Sequence, residues 1–421
     1  MSSPSPRARR AVALAAALGV TGAMLAACAT TPAAPDLDEK PIQLWLPYPS
    51  SFEEAMQAAA DACTAAGIPM EITAFDLTYG ELDLKVQAEA QAGNTPDLVL
   101  SGLNSLIPLG VNEFVTDMTP LMAGDDVVTS EVMPALAAGN LEGKQLLVPW
   151  GISVPTVFVN TAITDAAGVD PDSLTSWTAV EDAAATIAAS GAGYGVALPQ
   201  QEGWVALQYL LTAGTELVDA DNMPVFNDGA GDVAIEHINE LYTSGSAFPG
   251  DEQASREAFA AGEVGLFIAS SSFIQSFADA SFDWITVPFP PAVEGGDVVT
   301  GAGGAGVAMF ASAERQAAAW DALKCTMEPS ILADYAVEFV GYLPVRTDMA
   351  DALEPGLLEA SPYQAPWSQF DLAGPWLNFP GVDGPRALQI FNDAWLEASQ
   401  RSDDPTAVMD GAADQIADLL K

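Results

Sequence analysis

Arg386 and Arg346 are the side chains best placed by type to hold a charged group, because positive charge is scarce around them. The chain has 57 Asp and Glu against 13 Lys and Arg, a formal charge of −44 over 421 residues. An anion buried in such a protein needs a local cation, and the planar guanidinium fork pairs with two oxygens at once. Arg346 closes the stretch GYLPVR (341–346), which ends a helical pattern. It either lines a cleft or makes a surface salt bridge. In the same stretch Tyr342 offers an aromatic face and a hydroxyl, which suits a wet cleft, and Pro344 fixes the backbone as the chain leaves. Of nine tryptophans, Trp45, Trp150, Trp204, Trp367 and Trp376 fall at predicted loop or strand ends. Aromatic faces there could take the C–H side of a sugar while polar neighbours take its hydroxyls.

Other chemistries find little support. Nucleic acid needs a basic face that this composition cannot assemble. The single histidine, His237, lies in the helical pattern IEHINELY, and no metal site is expected around it. Asp219 and Asp221 suggest a calcium loop, but Met223 stands where a ligand oxygen would be required. A secreted glycoside hydrolase is a remote alternative. With 57 acids a carboxylate pair carries no information, and no GxSxG nucleophile motif occurs. The run GAGGAGVAMF (301–310) has neither the dinucleotide nor the Walker spacing, so no nucleotide cofactor is expected. Its glycines fit close backbone approach, at a hinge or to a ligand.

The elements that must position these residues begin after an N-terminal signal. Arg7, Arg9 and Arg10 precede the apolar run Ala11–Ala27, which reads as a secretory signal rather than a spanning helix. It ends Leu25-Ala26-Ala27-Cys28, which resembles the lipobox of bacterial lipoproteins, cut before a cysteine that is then lipidated. Acyl chains contribute about 0.8 kcal/mol per buried methylene, so two or more give a lasting anchor. Residues 28–40 would then be the lipidated Cys28 and a Pro/Ala-rich tether. Losing the three arginines leaves ten cations against 57 acids, or −47. Cys63 and Cys325 remain, in a compartment that permits disulfides. Bonded, they would close a loop worth at most ~5 kcal/mol; two separate buried thiols is the other reading.

Further on, apolar runs at Ile42–Leu46, Met70–Phe75 and Asp97–Leu100 alternate with helical patterns, a βαβαβ series that implies a parallel sheet covered by helices. A strand at Thr156–Val159, helices near Thr178–Ala189 and Ala206–Thr212, and a hairpin-like 217–228 opening a helix follow. Val264–Ile268 and Asp283–Val287 read as strands, 313–327 as a helix, and the chain from Pro385 onward as mostly helical.

In this order the segments resemble the family 1 extracellular solute-binding proteins of ABC importers, most of all the glycerol-3-phosphate-binding subunits. The resemblance is carried by VPWGISVPTVFVNTA (148–162), GEVGLFIASSS (262–272), the long stretch 303–346 that ends in GYLPVR, and more weakly GVDGPRALQIF (381–391). It implies an α/β, two-lobed fold of the type II periplasmic-binding-protein kind, with lobe 1 as 41–153 plus 301–343 and lobe 2 as 154–300 plus 344–421. It also implies capture of a glycerol-3-phosphate or glycerophosphodiester solute without enzymatic turnover, by a monomer anchored to the outer face of the cell membrane. Delivery would be to permease subunits with their ATPase. A neutral mono- or oligosaccharide is the alternative ligand.

The resemblance places Tyr79 where the family has a tyrosine facing the glycerol moiety. Ser153, Ser270, Gly304, Tyr342 and Arg386 match positions around the phosphate, with Ser271 one register step from Ser270, and Trp204 matches an aromatic wall. Leu103 stands where the family carries a glutamate for the glycerol hydroxyls, and Gln201 replaces a pocket tryptophan. These two departures change the polyol end and make a larger phosphodiester or a sugar credible.

Overall fold

The computed structural model describes residues 40–103, 114–125, 128, 136, 139–141, 143–200, 203–374, 379–381 and 383–421. Cys28, Gln201 and Trp376 lie outside the described residues, as does the expected signal segment. No helix among the described residues is long and apolar enough to cross a membrane.

Strand β1 (Ile42–Leu46) leads into α1 (Pro49–Ala65), whose Phe52, Met56, Ala59 and Cys63 share the buried face. After β2 (Met70–Ala74), α2 (Tyr79–Ala92) begins before Leu82, where its apolar pattern places the start. Thr78 and Glu81 form a reciprocal capping box there, and Gly93 ends the helix in the left-handed conformation. Then come β3 (Leu98–Gly102), β4 (Leu147–Ser153) and β5 (Pro155–Asn160), the last two separated by Val154 alone. The middle of the chain supplies α3 (Trp177–Ser190), β6 (Tyr194–Ala197), α4 (Trp204–Ala213), α5 (Gly229–Thr243) and α6 (Glu252–Ala260). In the turn before α5 the Asp219 carboxylate accepts from the N–H groups of Asp221 and Met223. Strands β7 (Val264–Ser270), β8 (Trp284–Pro288), β9 (Thr300–Gly301) and β10 (Gly303–Met309) follow. Helix α7 (Gln316–Thr326), a π-helix (Leu332–Val340), β11 (Ala373–Gly374), α8 (Gly384–Gln400) and α9 (Pro405–Leu419) complete the fold.

The strands form two main sheets, one per lobe, in the orders β2-β1-β3-β10-β4 and β8-β5-β7-β6. The βαβαβ series pairs in parallel as expected, and β10 joins it running antiparallel to both β3 and β4. In the second sheet β5 is likewise antiparallel to β7 and β8. The reason is topological. Each reversed strand is the one by which the chain enters from the other lobe, so it must start at the shared edge while its neighbours end there.

Two apolar clusters fill the lobes. One covers the first sheet and continues onto one face of the second, through Phe158, Phe267 and Phe277. The other packs α3, α4, α5 and α8 on the opposite face, against Val157, Val159, Leu266 and Ile268. The alternation along β5 and β7 is the period of two that a strand imposes. Within the first lobe Cys63 and Cys325 form a disulfide that ties α1 to α7 across 262 positions of sequence. Replacing both cysteines by serine should lower unfolding stability by about 2–5 kcal/mol, read from chemical denaturation of the oxidised protein and the double variant.

Candidate functional site

The C-terminal ends of parallel strands, together with the start of the reversed one, bring a set of side chains to one edge. Tyr48 follows β1, Tyr79 opens α2 after β2, Leu103 follows β3, and Ser153 ends β4 opposite Gly303 of β10. Open α/β sheets hold ligands at such an edge. Tyr342 arrives there because Leu343 exchanges backbone hydrogen bonds with Ile152, at 2.7 and 3.4 Å. That pairing lays the Tyr342 ring on Gly151, where an added Cβ would stand 2.1 Å from the ring. The Tyr342 and Tyr79 hydroxyls are 3.4 Å apart. Tyr48 meets Tyr79 edge-on at 5.1 Å, and Phe52 stacks on Tyr342 at 6.2 Å. Burial pushes the Tyr342 phenol up to about 12, with the Tyr79 hydrogen bond opposing it.

Lobe 2 contributes Trp204, at the first turn of α4. A Cβ on Gly303 would lie 2.8 Å from both Ser153 Oγ and Trp204 Nε1. A hydroxyl from one lobe and an indole N–H from the other therefore converge over a residue that has no side chain. Gly304 has φ +127°, and a Cβ there would strike the Gly151 carbonyl oxygen at 2.1 Å. Its glycine is thus required by backbone approach within the sheet.

The remaining expected site residues take different places. Ser271 is fully buried, and its Oγ accepts from the Val154 N–H at 3.2 Å. Ser270 is half-buried and shares a hydroxyl hydrogen bond with Ser272 at 2.8 Å. Arg386 is exposed on the first turn of α8, with no ion pair among the described residues. Further along that helix the Asn392 amide abuts Gly203, next to Trp204. Arg346 forks onto Asp348 at 2.8 and 2.7 Å and holds that carboxyl below its ordinary range. Leu103 is buried and donates its N–H to the Gly304 carbonyl. Trp150 lies inside β4 and is wholly buried, a correction to its expected place at a strand end. The Trp45 ring is covered by the Lys85 ammonium at 5.0 Å. The sequence reading passed over Tyr48, whose φ of +47° is rare for a side chain of its size. Pro49 at the helix start was its one available signal.

Gly151→Ala should displace Tyr342 and destabilise the fold by about 1–3 kcal/mol, checked by denaturation and by the position of the Tyr342 ring in a crystal structure of the variant. Tyr342 and Tyr363 are both pushed up by burial to about 12. A phenol bound more tightly to its proton in the folded state stabilises the fold in full below about pH 10, the unfolded value. That stability should drain away as pH rises from there toward 12, seen as a falling denaturation midpoint with late phenolate absorbance.

Residues 58–365 match the family described as bacterial extracellular solute-binding protein. A search of curated protein sequences finds no match. Among solved structures, it is similar to UgpB from Mycobacterium tuberculosis in complex with glycerophosphocholine, at TM-score 0.79 and 18% identity over 90% of this chain and 98% of that one. It is also similar to the GacH receptor of Streptomyces glaucescens, solved unliganded and with acarbose, at TM-score 0.78 and 19% identity over 91% and 99%. A cyclic alpha-maltosyl-1,6-maltose binding protein from Arthrobacter globiformis gives TM-score 0.72 and 22% identity over 91% and 100%. Two lobes whose strands end at a common edge, and a family match over most of the chain, lead to one statement: this protein belongs to the bacterial extracellular solute-binding proteins.

Proposed function

We propose that the protein is the solute receptor of an ABC importer and captures a glycerol-3-phosphate or glycerophosphodiester type of solute between its lobes. The observation that carries this is the convergence of Tyr79, Ser153, Trp204 and Tyr342 at one edge. Arg386 supports it as a cation without a carboxylate partner among the described residues, in a chain of 57 acids. Ser270, half-buried at the end of β7, is a further donor for a phosphoryl oxygen; Ser271 serves the crossing instead. The solute bridges both lobes, so it binds the closed state better and shifts the population toward it. The closed form docks on permease subunits served by an ATPase. We place the lobes at 41–153 plus 301–343 and 154–300 plus 344–421. We also read residues 1–27 as a secretory signal, Cys28 as the lipidated residue and the stretch to 40 as the tether that holds a monomer to the outer face of the membrane.

A neutral sugar is the second reading. It is favoured by the aromatic group of Tyr48, Phe52, Tyr79 and Tyr342, and by the apolar Leu103 beside Gly304. Calorimetric titration of the chain from residue 29 with glycerol-3-phosphate, glycerophosphocholine, maltose and trehalose separates the two. Binding of a phosphate compound that falls at least about a hundredfold in Arg386→Ala is the expected result, the size of a lost charge-assisted pair. Binding of a sugar alone, indifferent to Arg386→Ala, would transfer recognition to the aromatic wall.

A further inference from the structure

Helix α4 carries a polar stripe that solute contact does not explain. Its sequence WVALQYLLTA is apolar apart from Gln208 and Thr212, and Gln208 is fully buried. A buried primary amide destabilises unless both of its ends are hydrogen-bonded. Gln208 satisfies both on one residue. Its Oε1 accepts from the Gly301 N–H at 2.8 Å, and its Nε2 donates to the Gly301 carbonyl at 3.3 Å. One turn later Thr212 donates to the Val299 carbonyl at 2.8 Å. One turn earlier, Trp204 Nε1 stands over Gly303. Helix positions 204, 208 and 212 thus register with chain positions 303, 301 and 299. The spacings match physically, since four helical residues rise ~6 Å and two extended residues span ~6.6 Å.

Residues 299–303 are the second passage between the lobes. They leave the segment after β8 and enter the first sheet as β10. We propose that Gln208 and Thr212 are positioning residues that lace this passage to α4, so that solute contact at Trp204 and lobe closure are a single movement. This rests on the reading that Trp204 faces the solute. Held by three hydrogen bonds, two at Gly301 and one at Val299, residues 299–301 travel with α4, and the bending is left to Gly303 and Gly304. Gly304 already has φ +127°, which other residues rarely adopt. The bend therefore lies beside Ser153 and Trp204, and a solute seated there acts on it directly.

Gln369 provides the control. It clasps Phe289, just after β8, in the same manner, accepting from its N–H at 2.8 Å and donating to its carbonyl at 2.9 Å, and makes no bond to residues 299–301. Spin labels on Glu53→Cys and Asp182→Cys, both exposed and one in each lobe, report the interlobe distance in the solute-free protein. Gln208→Met is expected to broaden that distance distribution and to weaken binding of glycerophosphocholine or maltose, whichever the parent protein binds, about tenfold. Gln369→Met is expected to lower Tm comparably while leaving the distribution and the affinity unchanged. If Gln208→Met lowers Tm and leaves both as in the parent, the clasp is merely structural and the proposal fails. Should Gln208→Met not fold, Thr212→Val, which removes a single bond, is judged by the same two measures. A parent protein that binds neither probe overturns the solute reading, and the solute-free distances still decide the lacing.

Discussion

Two sheets that exchange a chain repeatedly must bury irregular backbone at each passage, and each buried N–H and C=O there needs a partner. This constraint organises the molecule. At the first passage Ser271 satisfies both groups of Val154: its N–H donates to the Val154 carbonyl, and its Oγ accepts from the Val154 N–H. At the second, Gly301 receives both bonds from the Gln208 side chain. Near the third, Leu343 is paired with Ile152. Satisfying the last of these brings Tyr342 onto Gly151, and satisfying the second fixes α4 with Trp204 at its head. The candidate site is thus in large part a by-product of how the passages are hydrogen-bonded.

Much of the architecture was legible because the local signals are strong. The β1–α1–β2 series follows from apolar periodicity, and most strands and helices lie within a few residues of their expected bounds. The reversal of β10 and β5 was not legible, since direction within a sheet depends on which lobe the chain comes from. Local composition carries no trace of that. Trp150 illustrates the same limit: GKQLLVPW (143–150) reads as a segment with its tryptophan at the end, and only the pairing of Gly303 with Ser153 shows that the strand runs on.

The site was legible in part, and through resemblance more than through residue type. Tyr342, Trp204 and Ser153, which the resemblance singled out, stand at the shared edge, and their contact with a solute is proposed. Arg346 shows where residue type alone leaves two readings open. A scarce cation beside a candidate turn invites a ligand role, yet an acid two residues on takes its fork in a local pair. Gln208 is the opposite case. A lone amide in an apolar helix is an evident anomaly, but its meaning needs the position of Gly301, ninety-three residues away in sequence.

Electrostatics then limits what any solute can gain from the surface. Exposed charges are screened beyond about 8 Å in physiological salt, so the acidic body contributes little to the energy of a bound group in a closed cleft. What remains is short-range: a directly paired cation, hydroxyls, an indole N–H and aromatic faces above Gly151 and Gly303. Such contacts are worth most when the groups are held in place before the solute arrives. The close packing of Tyr342 on Gly151 and the two-bond clasp on Gly301 are the devices that hold them. In the receptor proposed here, selectivity would come from the fit of the closed form, and the closed form from the hydrogen bonds of the passages between the lobes.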